Sequence, residues 1–165
     1  LIKSGSVEYE GQAGFIMEDA PFFAEATLKE NMDVFKNLYK NYDEKEFYER
    51  LKRVGLEDHK VYGLLSKGEK VRFQFAFAMG HHPGLLLLDE PTSGLDAENM
   101  QLVRETIKAQ AEKGCVAFII THDYEFAASL FSSLLIVQDD HSINWIRPDQ
   151  YHPSILSKLF ELEEF

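Results

Sequence analysis

The sequence predicts an α/β fold, a parallel-sheet core with a block of helices inserted into it. Three observations predict it. Leu85-Leu86-Leu87-Leu88 is a short, fully apolar run between Pro83-Gly84 and an acidic pair. Such a run reads as a strand buried on both faces, the pattern of a parallel sheet. From there strand and helix patterns alternate to residue 147, and right-handed crossovers turn that alternation into a parallel sheet. Upstream, residues 27–82 show helical spacing.

The elements follow in order. Residues 5–18 read as two short strands around Gly11. Thr27 and Glu30 form a capping box, and a helix follows through Met32, Phe35 and Leu38. Asp43 and Glu46 repeat the pattern, with Phe47, Leu51 and Val54 on one face and Gly55 as the stop. A third helix opens near Ser66 and runs to about Gly80, with Val71, Phe75, Ala78 and Met79 at helical spacing. After Leu88, residues 97–113 are helical, with Met100, Val103 and Ile107 inward and Gly114 as the stop. Val116 to Ile120 reads as another buried strand, residues 124–132 as a short helix, and Leu134 to Val137 and Ile143 to Ile146 as two more strands. The tail, with Tyr151, Ile155, Leu156, Leu159 and Phe160, reads as an amphipathic helix. One domain results. Residues 1–26 and 83–147 supply its core, 27–82 a helical subdomain and 148–165 a C-terminal helix.

Bulk properties narrow the function. The 165 residues suffice for one domain with a real core, and the net charge of -11 argues against binding nucleic acid or an anionic surface by electrostatics. The single cysteine, Cys115, excludes an internal disulfide and reads as a packed residue beside a strand. No uninterrupted apolar run approaches the length of a membrane span. The chain opens on Leu1 rather than methionine, so a longer product is expected.

The chemistry centres on Asp89-Glu90, two carboxylates ending an apolar strand. Ligands of open α/β sheets bind at the carboxyl ends of the strands. Mg²⁺ takes one or two carboxylates plus waters and phosphates. Asp89 fits that role, and Glu90 is placed to take a proton from, or orient, an attacking water. The pair alone leaves open that both acids simply face solvent. Ser66 and Glu69 make a second capping box, whose helix N-terminus favours an anion, and Gly68 leaves room for close backbone approach. An ordinary capped helix has the same pattern. Ser93 to Asp96 form a tight turn after Pro91, with Asp96 as N-cap of the next helix. Phe22 and Phe23 either stand exposed for a partner or pack inward. His81-His82, without further ligands nearby in sequence, reads as a loop rather than a metal site.

Asp-Glu-Pro-Thr-Ser-Gly-Leu-Asp over residues 89–96 closely resembles the Walker B and D-loop run of ABC ATPases. Leu65-Ser66-Lys67-Gly68-Glu69 resembles their signature, usually Leu-Ser-Gly-Gly-Gln, and Thr121-His122-Asp123 resembles their switch-histidine segment. Order and separations are also similar, from about Gly5 to Ile146. The resemblance implies a P-loop NTPase core of ABC ATPase type, with ATP and Mg²⁺ as cofactors. It implies Asp89 and Glu18 at the metal, and Glu90 and His122 as catalytic residues. Ser66, Lys67, Gly68 and Glu69 would face the ATP of a second ATP-binding subunit, and Ser93, Gly94 and Asp96 would link the two sites. Transmembrane permease subunits would be contacted near Phe22 and Phe23, placing the protein in the cytoplasm, peripheral to the inner face of the cell membrane.

Leu-Ser-Lys-Gly with His-His-Pro resembles the ATPase subunits of bacterial exporters. Rival expectations are a soluble ABC-type ATPase of translation or DNA repair and a non-catalytic partner domain. Departures are Glu18 for the usual glutamine, Lys67 for a glycine and Glu69 for a glutamine. No G-x-x-x-x-G-K-S/T occurs, so the Walker A loop is expected upstream of Leu1. This stretch alone is expected to be inactive, and an apolar sheet edge or face to lie exposed.

Overall fold

Three parallel strands carry the sheet of the first compact unit, Leu1–Ile120, in a computed structural model describing residues 9, 11–130, 133–137, 142–150 and 152. They are β1 (Ala13–Ile16), β2 (Leu85–Asp89) and β3 (Val116–Ile120), in the order β1-β2-β3. The register pairs Ala13 with Leu85 and Leu85 with Val116. Alternation then puts Gly14, Ile16, Leu86, Leu88, Ala117 and Ile119 on one face, and Phe15, Leu85, Leu87, Val116, Phe118 and Ile120 on the other. On the first face Ile16, Leu86 and Leu88 are buried.

The second face corrects the expectation of strands buried on both sides. Phe15 is 47% exposed, Val116 54%, Phe118 53% and Ile120 66%. The apolar run of β3 has the composition of a covered strand, but the described residues cover only one of its faces. A contiguous patch of this kind drives association. The 165-residue polypeptide is therefore expected to self-associate, and a monodisperse monomer in light scattering would contradict this.

Helices α1 (Leu28–Phe35), α2 (Glu44–Arg53) and α3 (Lys67–Met79) build the other half of this unit. Thr27 caps α1 with a complete capping box. Leu38 falls in a following 3₁₀ turn and is 75% exposed, so the expected inward face ends at Phe35. Asp43 caps α2, accepting from the Glu46 amide at 3.0 Å, while the Glu46 carboxylate turns to Arg50 at 2.6 Å instead of closing the box. Gly55 stops α2 at φ 71°, where a side chain would be strained. α3 is buried from Phe73 to Met79, wider than one amphipathic stripe, because α2 packs against it and β1 also contacts it. Phe47, Phe73, Leu28 and Met32 are fully buried at the centre of this block. α4 (Ala97–Ala111) adds Val103 and Ile107 to the core, while Met100 is half-buried. Cys115 is buried beside β3, and burial pushes its thiol pKa up.

His81 is 1% exposed and stacks on Tyr39 with ring centroids 3.9 Å apart. Burial pushes its imidazole down to about 4. The unfolded chain takes up this proton near pH 6.5, so the contribution is complete above pH 6.5 and fades as pH falls towards 4. It amounts to at most on the order of 3 kcal/mol. Melting temperature should fall over that window, and His81→Phe should flatten the fall. An unchanged slope would place the sensitivity elsewhere.

The second compact unit, Thr121–Phe165, contains α5 (Tyr124–Leu130) and an antiparallel pair, β4 (Leu134–Val137) with β5 (Ile143–Ile146). Asp123 accepts from the Phe126 amide at 2.9 Å and so opens α5. Among the described residues no helix is long and apolar enough to cross a membrane. The strand expected before Gly11 and the tail helix fall outside the described residues, apart from Tyr9 and the start of the tail, where Pro148–Gln150 form a 3₁₀ turn.

Candidate functional site

Parallel pairing brings the exits of β1 and β2 to one sheet edge. Ile16 lies opposite Leu88, and the chains leave the sheet through Met17-Glu18 and Asp89-Glu90. Asp89 and Glu18 are exposed there. Glu90 takes φ 46°, a left-handed conformation that costs a non-glycine residue on the order of 1 kcal/mol. Its amide donates to the Ile120 carbonyl at 2.9 Å and its carbonyl accepts from Ser93 at 3.1 Å, which hold it. Strain of this kind gathers at functional positions.

Pro91 and Thr92 are buried beneath the turn that follows. Gly94 sits at φ 66°, and a Cβ there would stand 3.1 Å from the Lys67 Cδ. Asp96 accepts from the Asn99 amide at 2.8 Å, which caps α4 and lowers the carboxyl pKa.

Ser66 caps α3. Its hydroxyl accepts from the Glu69 amide at 3.2 Å, and the Glu69 carboxylate accepts from the Ser66 amide at 2.9 Å. Lys60 donates to the same carboxylate at 2.8 Å and, with the Ser66 amide, holds its pKa at about 2. Glu69 is thus committed to the turn itself. Gly68 is buried, and a Cβ on it would meet the Asn99 side chain at 2.6 Å. The closely approaching neighbour is therefore the start of α4.

Lys67 donates to Glu18 at 2.9 Å, so the two residues that replace the usual glycine and glutamine neutralise each other. Gln74 escaped the sequence reading. Its side chain is 3% exposed, accepts from the Met17 amide at 2.8 Å and donates to the Met17 carbonyl at 3.0 Å. The signal available was a lone amide inside the apolar stretch Phe73 to Met79.

Phe22 packs inward against Phe73 at 4.9 Å and Phe35 at 5.1 Å, whereas Phe23 is 52% exposed. An apolar groove of about 260 Å³ beside them is lined by Phe15, Met17, Pro21, Phe35 and Tyr39, among others. His122 lies exposed in the second unit, just before α5. His82 faces Asp43 at 3.7 Å. Among the described residues no group of three or more His, Cys, Asp or Glu is placed to hold a metal by itself. One or two carboxylates with phosphate oxygens completing the shell suffice for Mg²⁺, and Asp89 with Glu18 at one edge fits that donor set.

The model of the family described as ABC transporter matches residues 3–93. A fluoroquinolones export ATP-binding protein of Mycobacterium tuberculosis is 34% identical over 134 residues, covering 80% of this chain and 44% of that protein. The "probable amino-acid import ATP-binding protein" YxeO of Bacillus subtilis is 39% identical over 110 residues, 64% of this chain and 44% of that protein. The chain thus spans less than half the length of these relatives. The solved structure of cbiO1 from Clostridium perfringens, part of the ABC transporter complex cbiONQ, superposes with a TM-score of 0.64 at 24% identity, covering 92% of this chain and 60% of that one. Fold and sequence agree, and the chain belongs to the ABC transporter family, with that family's ATP-binding proteins as its relatives.

Proposed function

We infer that the full-length protein binds and hydrolyses ATP and couples hydrolysis to transport through a membrane partner. The observation that carries this is the shared edge of β1 and β2, where Asp89, Glu90 and Glu18 leave the sheet together. Asp89, assisted by Glu18, would hold Mg²⁺, which supplies charge neutralisation on the phosphates. Glu90 orients the attacking water and takes its proton. His122 contacts the transferred phosphoryl group. Ser66, Lys67 and the Gly68 backbone, at a helix N-terminus whose turn Glu69 holds, complete the ATP site of a second subunit. The Ser93, Gly94 and Asp96 turn links the two sites.

The groove beside Phe22 and Phe23 receives a permease segment, and the protein sits in the cytoplasm, peripheral to the inner membrane face. Residues 27–82 act as the helical subdomain, and 1–26 and 83–147 as the core portion. Export is the direction favoured, on the Leu-Ser-Lys-Gly and His-His-Pro wording around the signature helix.

Hydrolysis measured on two polypeptides tests the reading. The full-length gene product should turn over Mg-ATP. The 165-residue stretch, which contains no phosphate-cradling loop, should not. Clear turnover by the short polypeptide, or none by the full-length one, overturns it.

A further inference from the structure

Helix α3 holds the exit of β1 at two points. Lys67 and Gln74 are seven residues apart in α3 and so share one face two turns apart. Gln74 grips the Met17 backbone from both sides, at 2.8 Å and 3.0 Å. Lys67 grips the next side chain, Glu18, at 2.9 Å. The two holds differ in kind. The Gln74 amide is buried, so its two bonds to Met17 are shielded from competing water on the helix side. The Lys67–Glu18 pair is about half exposed, at 57% and 54%, so salt screens it. Lys67 also lies against Gly94, in the turn after β2.

We propose that Gln74 is a positioning residue which, with Lys67, makes Met17-Glu18 a rigid extension of α3, so that the Ser66 turn and the Glu18 carboxylate move as one body. A displacement of the α3 N-terminus then reaches Glu18 without crossing the sheet. Gln74 acts through Glu18 and touches no nucleotide. The inference goes beyond the hydrolytic reading above and rests on it only for its kinetic consequence.

The test uses the full-length protein and amide hydrogen exchange over residues 16–20, with ATP kinetics alongside. Gln74→Met, close in shape to glutamine but without its polar atoms, should speed exchange at Met17 by about tenfold, the scale of one lost buried hydrogen bond. It should lower kcat by about tenfold with KM within about twofold, because a shifted Glu18 misaligns the reacting groups rather than the binding ones. Lys67→Glu, at an exposed position that does not threaten folding, should loosen Glu18. Combining it with Glu18→Lys should restore slow exchange.

Unchanged exchange in Gln74→Met, or no rescue by the reversed pair, overturns the proposal. Faster exchange with kcat unchanged in an active wild type overturns the positioning role. A wild type without ATPase sinks the hydrolytic reading instead, and the exchange and rescue measurements still decide whether the two segments move as one body.

Discussion

Replacing Glu90 by glutamine in the full-length protein should lower the hydrolytic kcat by about 10²–10⁴-fold, the usual contribution of a positioned general base. That is about 3–5 kcal/mol of barrier. Glutamine keeps the size and the ability to hydrogen-bond a water but cannot accept its proton. The backbone argument matters equally. Glu90 is held at φ 46° by its amide bond to Ile120 and its carbonyl bond from Ser93, and glutamine keeps both. The fold should therefore survive, with a melting temperature close to wild type, and ATP affinity should change by no more than a few-fold. Steady-state hydrolysis and nucleotide binding, measured on the same preparation, check this. If kcat holds within about threefold, Glu90 is not the base, and the strain at that position serves the turn alone.

The largest stability effect should come from Phe73→Ala. Phe73 is fully buried, with Phe22, Tyr62, Phe47 and Phe77 around it at centroid distances of 4.9, 5.5, 6.1 and 6.4 Å. Truncation removes a ring from the middle of an aromatic cluster whose other members are each held by their own backbones. The expected cost is about 3–5 kcal/mol from lost transfer energy and a residual cavity. For a domain of this size that lowers the melting temperature on the order of 10 °C. Phe73→Leu should cost less, since it refills part of the space. Denaturant unfolding of the pair measures both, and a loss below about 1 kcal/mol for alanine would show that the neighbouring rings collapse into the gap.

Local features were legible and distant ones were not. The caps at Thr27 and Ser66 depend on residues three positions apart, so the sequence displays them directly. The stop at Gly55 is equally local. The carboxylate edge was legible because a parallel strand must end at one side of the sheet, and Asp89-Glu90 mark that end. The Lys67–Glu18 pair spans 49 residues, and no periodicity announces a contact of that separation. Gln74 goes unmarked in the sequence because its partners belong to another element. Adjacent Phe22 and Phe23 separated into one packed ring and one exposed ring, a difference set by where α1 and α3 lie rather than by their own chemistry. The outer face of β3 departs from a strand buried on both sides for the same reason, and agrees with the expectation of an exposed apolar sheet face. A strand's composition states what it can bury but not whether a neighbour arrives to cover it.

That face has a consequence for synthesis and storage. Cys115-Val116-Ala117-Phe118-Ile119-Ile120 is six residues without a charge or a proline, rich in β-branched and aromatic side chains. A segment of that composition is a steric-zipper candidate whenever it meets copies of itself. Its charged neighbours, Lys113 two positions before and Asp123 three positions after, stand as gatekeepers at either end. Whatever covers β3 in the working protein is thus also a guard against cross-β stacking, and variants that expose it further should aggregate more readily.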